Sequence, residues 1–134
     1  MSQSRISSAT LRIQPLEVAI IVLTGATAFL HVSAALSSNA PLHFPLPGLF
    51  YLNAAGYLFL IWLLYLPALH PIQRYIRWLL ILYVATTIFA WVALGDRDMD
   101  GFLDKGIEGA LLILLLVEEW RATRQGTKAP YSVE

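Results

Sequence analysis

Four apolar runs, each close to the length needed to cross a bilayer, constrain this chain more than any other feature. A hydrocarbon layer about 30 Å thick takes roughly 20 mostly apolar residues of helix. Leu16–Leu36, Gly48–Leu66 and Ile76–Leu94 meet that length, and Lys105–Trp120 does so once extended back to residue 103. Only 13% of the 134 residues are charged, against about 25% in an ordinary soluble domain, so much of the surface is expected to face lipid. The expected fold class is all-α: a polytopic membrane protein, an antiparallel bundle of four transmembrane helices over 16–36, 48–66, 76–94 and 103–120. Short tails at 1–15 and 121–134 flank it.

The breaks between the runs have chemical causes. Pro41, Pro45 and Pro47 each lack a backbone donor, as do Pro67 and Pro71 in the tight PALHP turn. The third break, GDRDMDG, is too charged to stay in hydrocarbon. Arg5 and Arg12, followed by an apolar run and Val32-Ser33-Ala34, resemble a cleavable signal peptide. The run is long for that, so the first span is expected to be retained.

Basic residues set the expected orientation. Arg5, Arg12, Arg74, Arg77, Arg121, Arg124 and Lys128 fall on one side, and only Arg97 and Lys105 on the other. An integral cell-membrane protein with both termini cytoplasmic follows. Aromatic residues fit this frame: Trp62, Tyr65, Tyr75, Trp78 and Trp120 near the inner boundary, Phe50, Tyr51, Trp91 and Phe102 near the outer one.

In lipid, small and polar residues mark helix contacts. The expected contact faces are Thr24, Thr27, Ala28, His31 and Ala35 in the first span, and Asn53, Gly56 and Tyr57 in the second. In the third they are Tyr83, Thr86, Thr87 and Ala90, and in the fourth Gly106, Gly109 and Ala110.

The outer loop, GDRDMDGFLDKGIE from Gly95 to Glu108, holds five carboxylates against Arg97 and Lys105. With Asp96 first, Asp98 is third, Asp100 fifth, Gly101 sixth, Phe102 (through its carbonyl) seventh and Asp104 ninth, which resembles a DxDxDG, EF-hand-like calcium loop. The twelfth position is Ile107, and Glu108 follows one residue late. The resemblance implies a structural calcium ion held by Asp96, Asp98, Asp100, Phe102, Asp104 and Glu108. The other reading is a solvated acidic turn in which Asp100 or Asp104 caps the fourth helix.

Other polar residues read as structural. His31 lies inside the first span, where an ionisable group is a functional candidate. The expectation is a neutral histidine hydrogen-bonded to Asn53, Tyr57 or Thr87. Haem within this chain is not expected, because His43 and His70 fall in loops at other depths. Lys105 and Glu108 are expected to pair near the interface, and Glu118 and Glu119 to join Arg121 in a helix-end cluster. The intramembrane core reads as free of Asp, Lys and Arg, which argues against a pump or channel.

The stretches LHVSAAL, FYLNAAGYLFL and GDRDMDGFLDKGIEGALLILLLVEEW resemble small, uncharacterised four-helix bacterial integral membrane proteins, over Leu30 to Trp120. That resemblance implies no activity. Zero net charge gives no case for nucleic acid, and the absence of cysteine removes thiolate chemistry. The expected function is that of a non-catalytic accessory subunit in a larger membrane complex, with other integral membrane subunits and lipid as partners. An electron-transfer or photosynthetic complex is the expected kind of host. The alternatives are a stand-alone calcium-binding membrane sensor, or a small transporter or membrane enzyme.

Overall fold

The computed structural model describes residues 14–37, 46–95 and 97–126. They form four α-helices: α1 (Pro15–Ser37), α2 (Leu46–Leu64), α3 (Gln73–Leu94) and α4 (Met99–Gly126). The tails up to residue 13 and from 127 onward, the connection carrying Pro41, His43 and Pro45, and Asp96 lie outside the described residues.

Each boundary has a local cause. Pro15 opens α1, where a missing N–H costs nothing, and the Gln14 backbone N–H donates to Glu17 Oε2 at 2.9 Å. Between α2 and α3, Pro67–Ile72 forms a 3-10 turn; Leu66 is extended, as the residue before a proline prefers. Gln73 Nε2 then donates to the Leu64 carbonyl at 3.0 Å, satisfying one of the orphan acceptors at the end of α2. At the start of α4, Asp98 Oδ1 accepts the Gly101 N–H at 2.8 Å, so Asp98 is the capping residue rather than Asp100 or Asp104.

α1 packs on α2 and α4, and α3 packs on the same two helices, closing a ring in chain order. The turn joining Leu64 to Gln73 makes α2 and α3 antiparallel. Arg77, early in α3, meets Glu118, late in α4, so that pair is antiparallel too. His31, late in α1, meets Asn53, early in α2, with the same result.

The polarity of the bundle is inverted relative to a water-soluble one. Arg77, Asp104, Glu108, Glu118 and Glu119 are buried, while Phe29, Leu36, Leu52, Phe89 and Leu94 are exposed at 65–89%. Three stretches, Pro15–Ser37, Pro47–Leu64 and Pro67–Leu94, are long and apolar enough to cross a membrane. At 28 residues α4 is the longest helix, about 42 Å. It starts at Met99, which carries Asp104, Lys105 and Glu108 into the bundle instead of leaving them at its rim.

The expected inner face of α1 is found: Thr24, Thr27, Ala28, His31 and Ala35 are all buried, joined by Ile20. On α2, Tyr57 is fully buried and Gly56 lies against the Tyr83 ring, which would collide with any added Cβ. Two expectations fail. Thr86 and Ala90 on α3 face outward, and so do Gly106 and Ala110 on α4. The α4 inner face is Asp104, Glu108, Leu111 and Leu115. The carboxylates decide this register, because a charge must meet partners while a glycine needs none. Residues two positions further along then point away.

Candidate functional site

Apart from Thr24, which is bonded to the Ile20 carbonyl, the buried polar groups fall into two centres spaced along the ring. The first is built on Glu108, whose side chain has no exposed surface. All four helices place polar groups against it. Tyr57 of α2 donates its hydroxyl to Glu108 Oε1 at 2.6 Å, Thr87 of α3 lies 3.0 Å from the same oxygen, and Thr27 of α1 lies 3.5 Å away. Lys105 of α4 donates to Oε2 at 2.6 Å. Thr27 and Tyr57 sit near the midpoints of α1 and α2, so this carboxylate is deep in the bundle.

Asp104, one turn earlier on α4, completes the centre. Its Oδ1 accepts the Thr27 hydroxyl at 2.6 Å and its Oδ2 pairs with Lys105 Nζ at 2.8 Å. One ammonium therefore bridges two carboxylates. His31 lies alongside, with Nδ1 3.6 Å from Asp104 Oδ1. The same nitrogen is 2.8 Å from the Thr27 carbonyl, which can only accept, so Nδ1 carries the proton. Nε2 then accepts from Asn53 Nδ2 at 2.6 Å. Of the partners expected for His31, Asn53 is the one it meets. Tyr83 closes the side, edge-on to Tyr57 at 5.0 Å between ring centres, with its hydroxyl donating to the Asn53 carbonyl at 3.2 Å.

The second centre joins α3 to the far end of α4. Arg77 donates through Nε to Glu118 Oε2 and through Nη1 to Glu119 Oε2, both at 2.8 Å. Arg74 Nε donates to Glu119 Oε1 at 2.9 Å, and the Tyr65 hydroxyl to Glu118 Oε1 at 3.2 Å. Glu118 and Glu119 thus pair with α3, not with Arg121 as the sequence suggests. A cleft of about 660 Å³ opens onto this centre, with Glu17, His70 and Arg121 also on its walls. The two centres are separated along α4 by about 15 Å. The gap is filled by buried Ile20, Leu60, Leu80, Val84, Leu111 and Leu115.

The interior is therefore not free of Asp, Lys and Arg: Asp104 and Arg77 are buried and Lys105 is nearly so. The residues expected to share a calcium ion are dispersed. Asp98 caps α4, Asp100 is exposed on its first turn, and Phe102 is helical and packs edge-on against Trp91 at 5.0 Å. Asp104 and Glu108 turn inward, and Asp96 lies outside the described residues. A helix from Met99 directs these carbonyls along its own axis, so the loop does not wrap a common point. His31, Asp104 and Glu108 do offer one ligand atom each within 4.8 Å of one another. The position between the two carboxylates is taken by Lys105 Nζ, and both nitrogens of His31 are engaged. As built, the centre is arranged around its own ammonium. Among the described residues, no buried side-chain nitrogen or oxygen lacks a partner.

A signal for the first centre was present in the sequence. Each helix contributes one polar pair spaced four residues apart: Thr27 and His31, Asn53 and Tyr57, Tyr83 and Thr87, Asp104 and Glu108. That spacing puts both members on one face. Comparison of the chain with models of known protein families, with curated proteins and with solved structures finds no match.

Proposed function

We propose that the chain is a four-span integral membrane protein that serves as a non-catalytic subunit of a larger membrane assembly. The inverted polarity carries the reading: charges are gathered inside while large apolar side chains cover the outside. Three stretches have the length and composition of spans. α4 joins them as the fourth because its charges are turned into the ring and paired there, while Leu103, Ile113 and Leu116 face out. Trp62, Tyr75, Trp78 and Trp120 are exposed toward the end where α2 and α4 finish and α3 begins, which suits one membrane boundary. The basic-residue bias assigns that end to the cytoplasm, with both termini.

The subunit role is supported by how the polar interior is used. Its groups satisfy one another, which fixes the register of four helices in a medium where apolar contact gives little specificity. What the bundle offers to other molecules is its perimeter. The test is purification from native membranes in mild detergent, with mass spectrometry of whatever co-elutes. Stoichiometric co-elution with other membrane proteins is expected; elution as a lone monomer would overturn the role. Cysteine labelling from each side tests the topology separately. Residues 97 and 98 should label from the side opposite both termini.

A second reading, a small transporter, is favoured by one observation: Glu108 lies deep in the bundle, where carboxylates commonly mark ion paths. The apolar layer between the two centres weighs against a continuous path in this conformation.

A further inference from the structure

We propose that the end of the bundle carrying the Arg77 centre holds one membrane phospholipid, with its phosphate in the polar cleft and an acyl chain in an apolar groove beside it. The site rests on the membrane-spanning part of the function proposed above and not on the subunit role. Two hollows of opposite character meet here. The cleft of about 660 Å³ has Glu17, Arg74, Glu119 and Arg121 on its walls. A second hollow, of about 330 Å³, lies between α1 and α2 and is lined by Ile21, Ile61, Trp62, Tyr65 and Leu66. They share a wall: Tyr65 lines the groove, and its hydroxyl donates to Glu118 in the cleft. On α1, Glu17 of the cleft and Ile21 of the groove stand on one face, one turn and about 6 Å apart.

Depth fits the two hollows to the two halves of a phospholipid. Trp62, Tyr75, Trp78 and Trp120 are exposed around this end and suit a membrane boundary. α1 begins and α2 ends here, so Ile21 and Ile61 lie deeper than Glu17 and Leu66. The walls therefore change from polar to apolar in the order in which a lipid passes from headgroup to chain. Within the cleft, Glu118 and Glu119 already bind the buried Arg77, and Glu119 also takes Arg74 Nε. Two guanidiniums face the opening. The Arg74 side chain is 67% exposed, and Arg121 is exposed and makes no ion pair among the described residues. A guanidinium presents a fork of N–H donors that matches the oxygens of a phosphate. Glu17 on the α1 wall weighs against a multiply charged anion and suits the single negative charge of a phosphodiester. A soluble phosphodiester would meet the same guanidiniums but leave the groove unused. The adjoining groove is what favours a lipid.

The test uses the purified full-length chain in mild detergent and native mass spectrometry. Three probes are titrated: dioleoyl phosphatidylglycerol, dioleoylglycerol (the chains without phosphate) and glycerophosphoglycerol (the headgroup without chains). One phosphatidylglycerol is expected to stay bound at concentrations where the other two dissociate. Arg74→Gln and Arg121→Gln should each weaken its retention about tenfold, the effect of losing a charged hydrogen-bonding partner. Ile21→Trp, which narrows the groove from its open side, should weaken it as well. Arg97→Gln, at the opposite end, should not. Arg74, Arg121 and Ile21 are exposed, so these variants keep the bundle's interior intact. Equal retention of dioleoylglycerol, equal binding of glycerophosphoglycerol, or retention unchanged in the Arg74→Gln, Arg121→Gln double variant would each overturn the site. Cysteine labelling in membranes tells this failure from that of the spanning bundle. A chain with the expected topology that retains no lipid loses the site and keeps its spans.

Discussion

The two polar centres use the same chemistry under different accounting. In the far centre, Arg74 and Arg77 meet Glu118 and Glu119, charge for charge, next to an open cleft; the Arg74 side chain is 67% exposed. In the Glu108 centre one ammonium serves two carboxylates without solvent. The first arrangement is balanced within itself. The second is not, and it compensates with neutral donors: Thr27, Tyr57 and Thr87 approach its carboxylates from three other helices. Hydrogen bonds to a charged acceptor are stronger than neutral ones, and each of these also ties two helices together. The contrast therefore separates a centre that fastens α3 to α4 from one that fastens all four helices.

The largest effects should come from removing the cation at the heart of each centre. Lys105→Met leaves two buried carboxylates with no positive partner, and Arg77→Met leaves Glu118 and Glu119 with Arg74 alone. Breaking a buried pair costs about 3–5 kcal/mol. Both variants should lose stability on that scale, read as unfolding midpoints in detergent. Combining Lys105→Met with Glu108→Gln should recover part of the loss, because it removes a charge the missing ammonium used to hold. If Lys105→Met is as stable as wild type, the bridge does not support the bundle.

Neutralising a carboxylate should separate the centres more sharply. Glu119→Gln leaves Arg77 and Arg74 sharing one glutamate, so a balanced site becomes positive; a loss of about 3 kcal/mol is expected. Glu108→Gln takes away a charge the other centre already has in excess, and the amide oxygen can still accept from Tyr57. Its cost should be about 1 kcal/mol, the worth of a weakened hydrogen bond. Equal losses for the two variants would mean that charge balance does not distinguish them.

This asymmetry also explains what could be read in advance. The helices were legible because apolar length and proline positions are local properties: α1 and α3 end within three residues of their expected spans. The inner face of α1 was legible because its small and polar residues recur at helical spacing. The α4 face is not legible in the same way, because Gly106, Gly109 and Ala110 have the small size of contact residues although Gly106 and Ala110 face outward. In a ring whose interior is polar, Asp104 and Glu108 had the stronger claim on the inside. The DxDxDG spacing of the acidic stretch masks this, because it resembles an ion loop although the helix already begins at Met99. The link from Glu118 and Glu119 to Arg74 and Arg77 crosses some forty residues of chain and becomes visible only when α3 and α4 are side by side.

A smaller effect tests solvent access within the far centre itself. Arg74 and Arg77 share Glu119, yet the Arg74 side chain is largely exposed and that of Arg77 is 7% exposed. An exposed ion pair contributes about 0–1 kcal/mol. Arg74→Ala should therefore shift the unfolding midpoint only slightly, and added salt should erase the shift. A loss comparable to that of Arg77→Met would show that the cleft is closed in the membrane.

The smallest expected effect concerns calcium. The sequence places five carboxylates close together, but the chain carries a cation of its own: Lys105 Nζ sits between Asp104 and Glu108, the two acidic groups that turn inward. Asp98 is used as a helix cap and Asp100 is solvated, so neither needs an ion to relieve it. The unfolding midpoint should be the same with calcium as with chelator, and Asp100→Asn should leave it unchanged. A calcium-dependent rise that Asp100→Asn abolishes would return the loop to the role of an ion site. It would also mean that α4 unwinds at its start to let Phe102 turn its carbonyl outward. In Lys105→Met the same titration becomes informative in reverse. With the ammonium gone, a divalent ion that stabilises this variant and not the wild type would identify Lys105 as the occupant of the cation position.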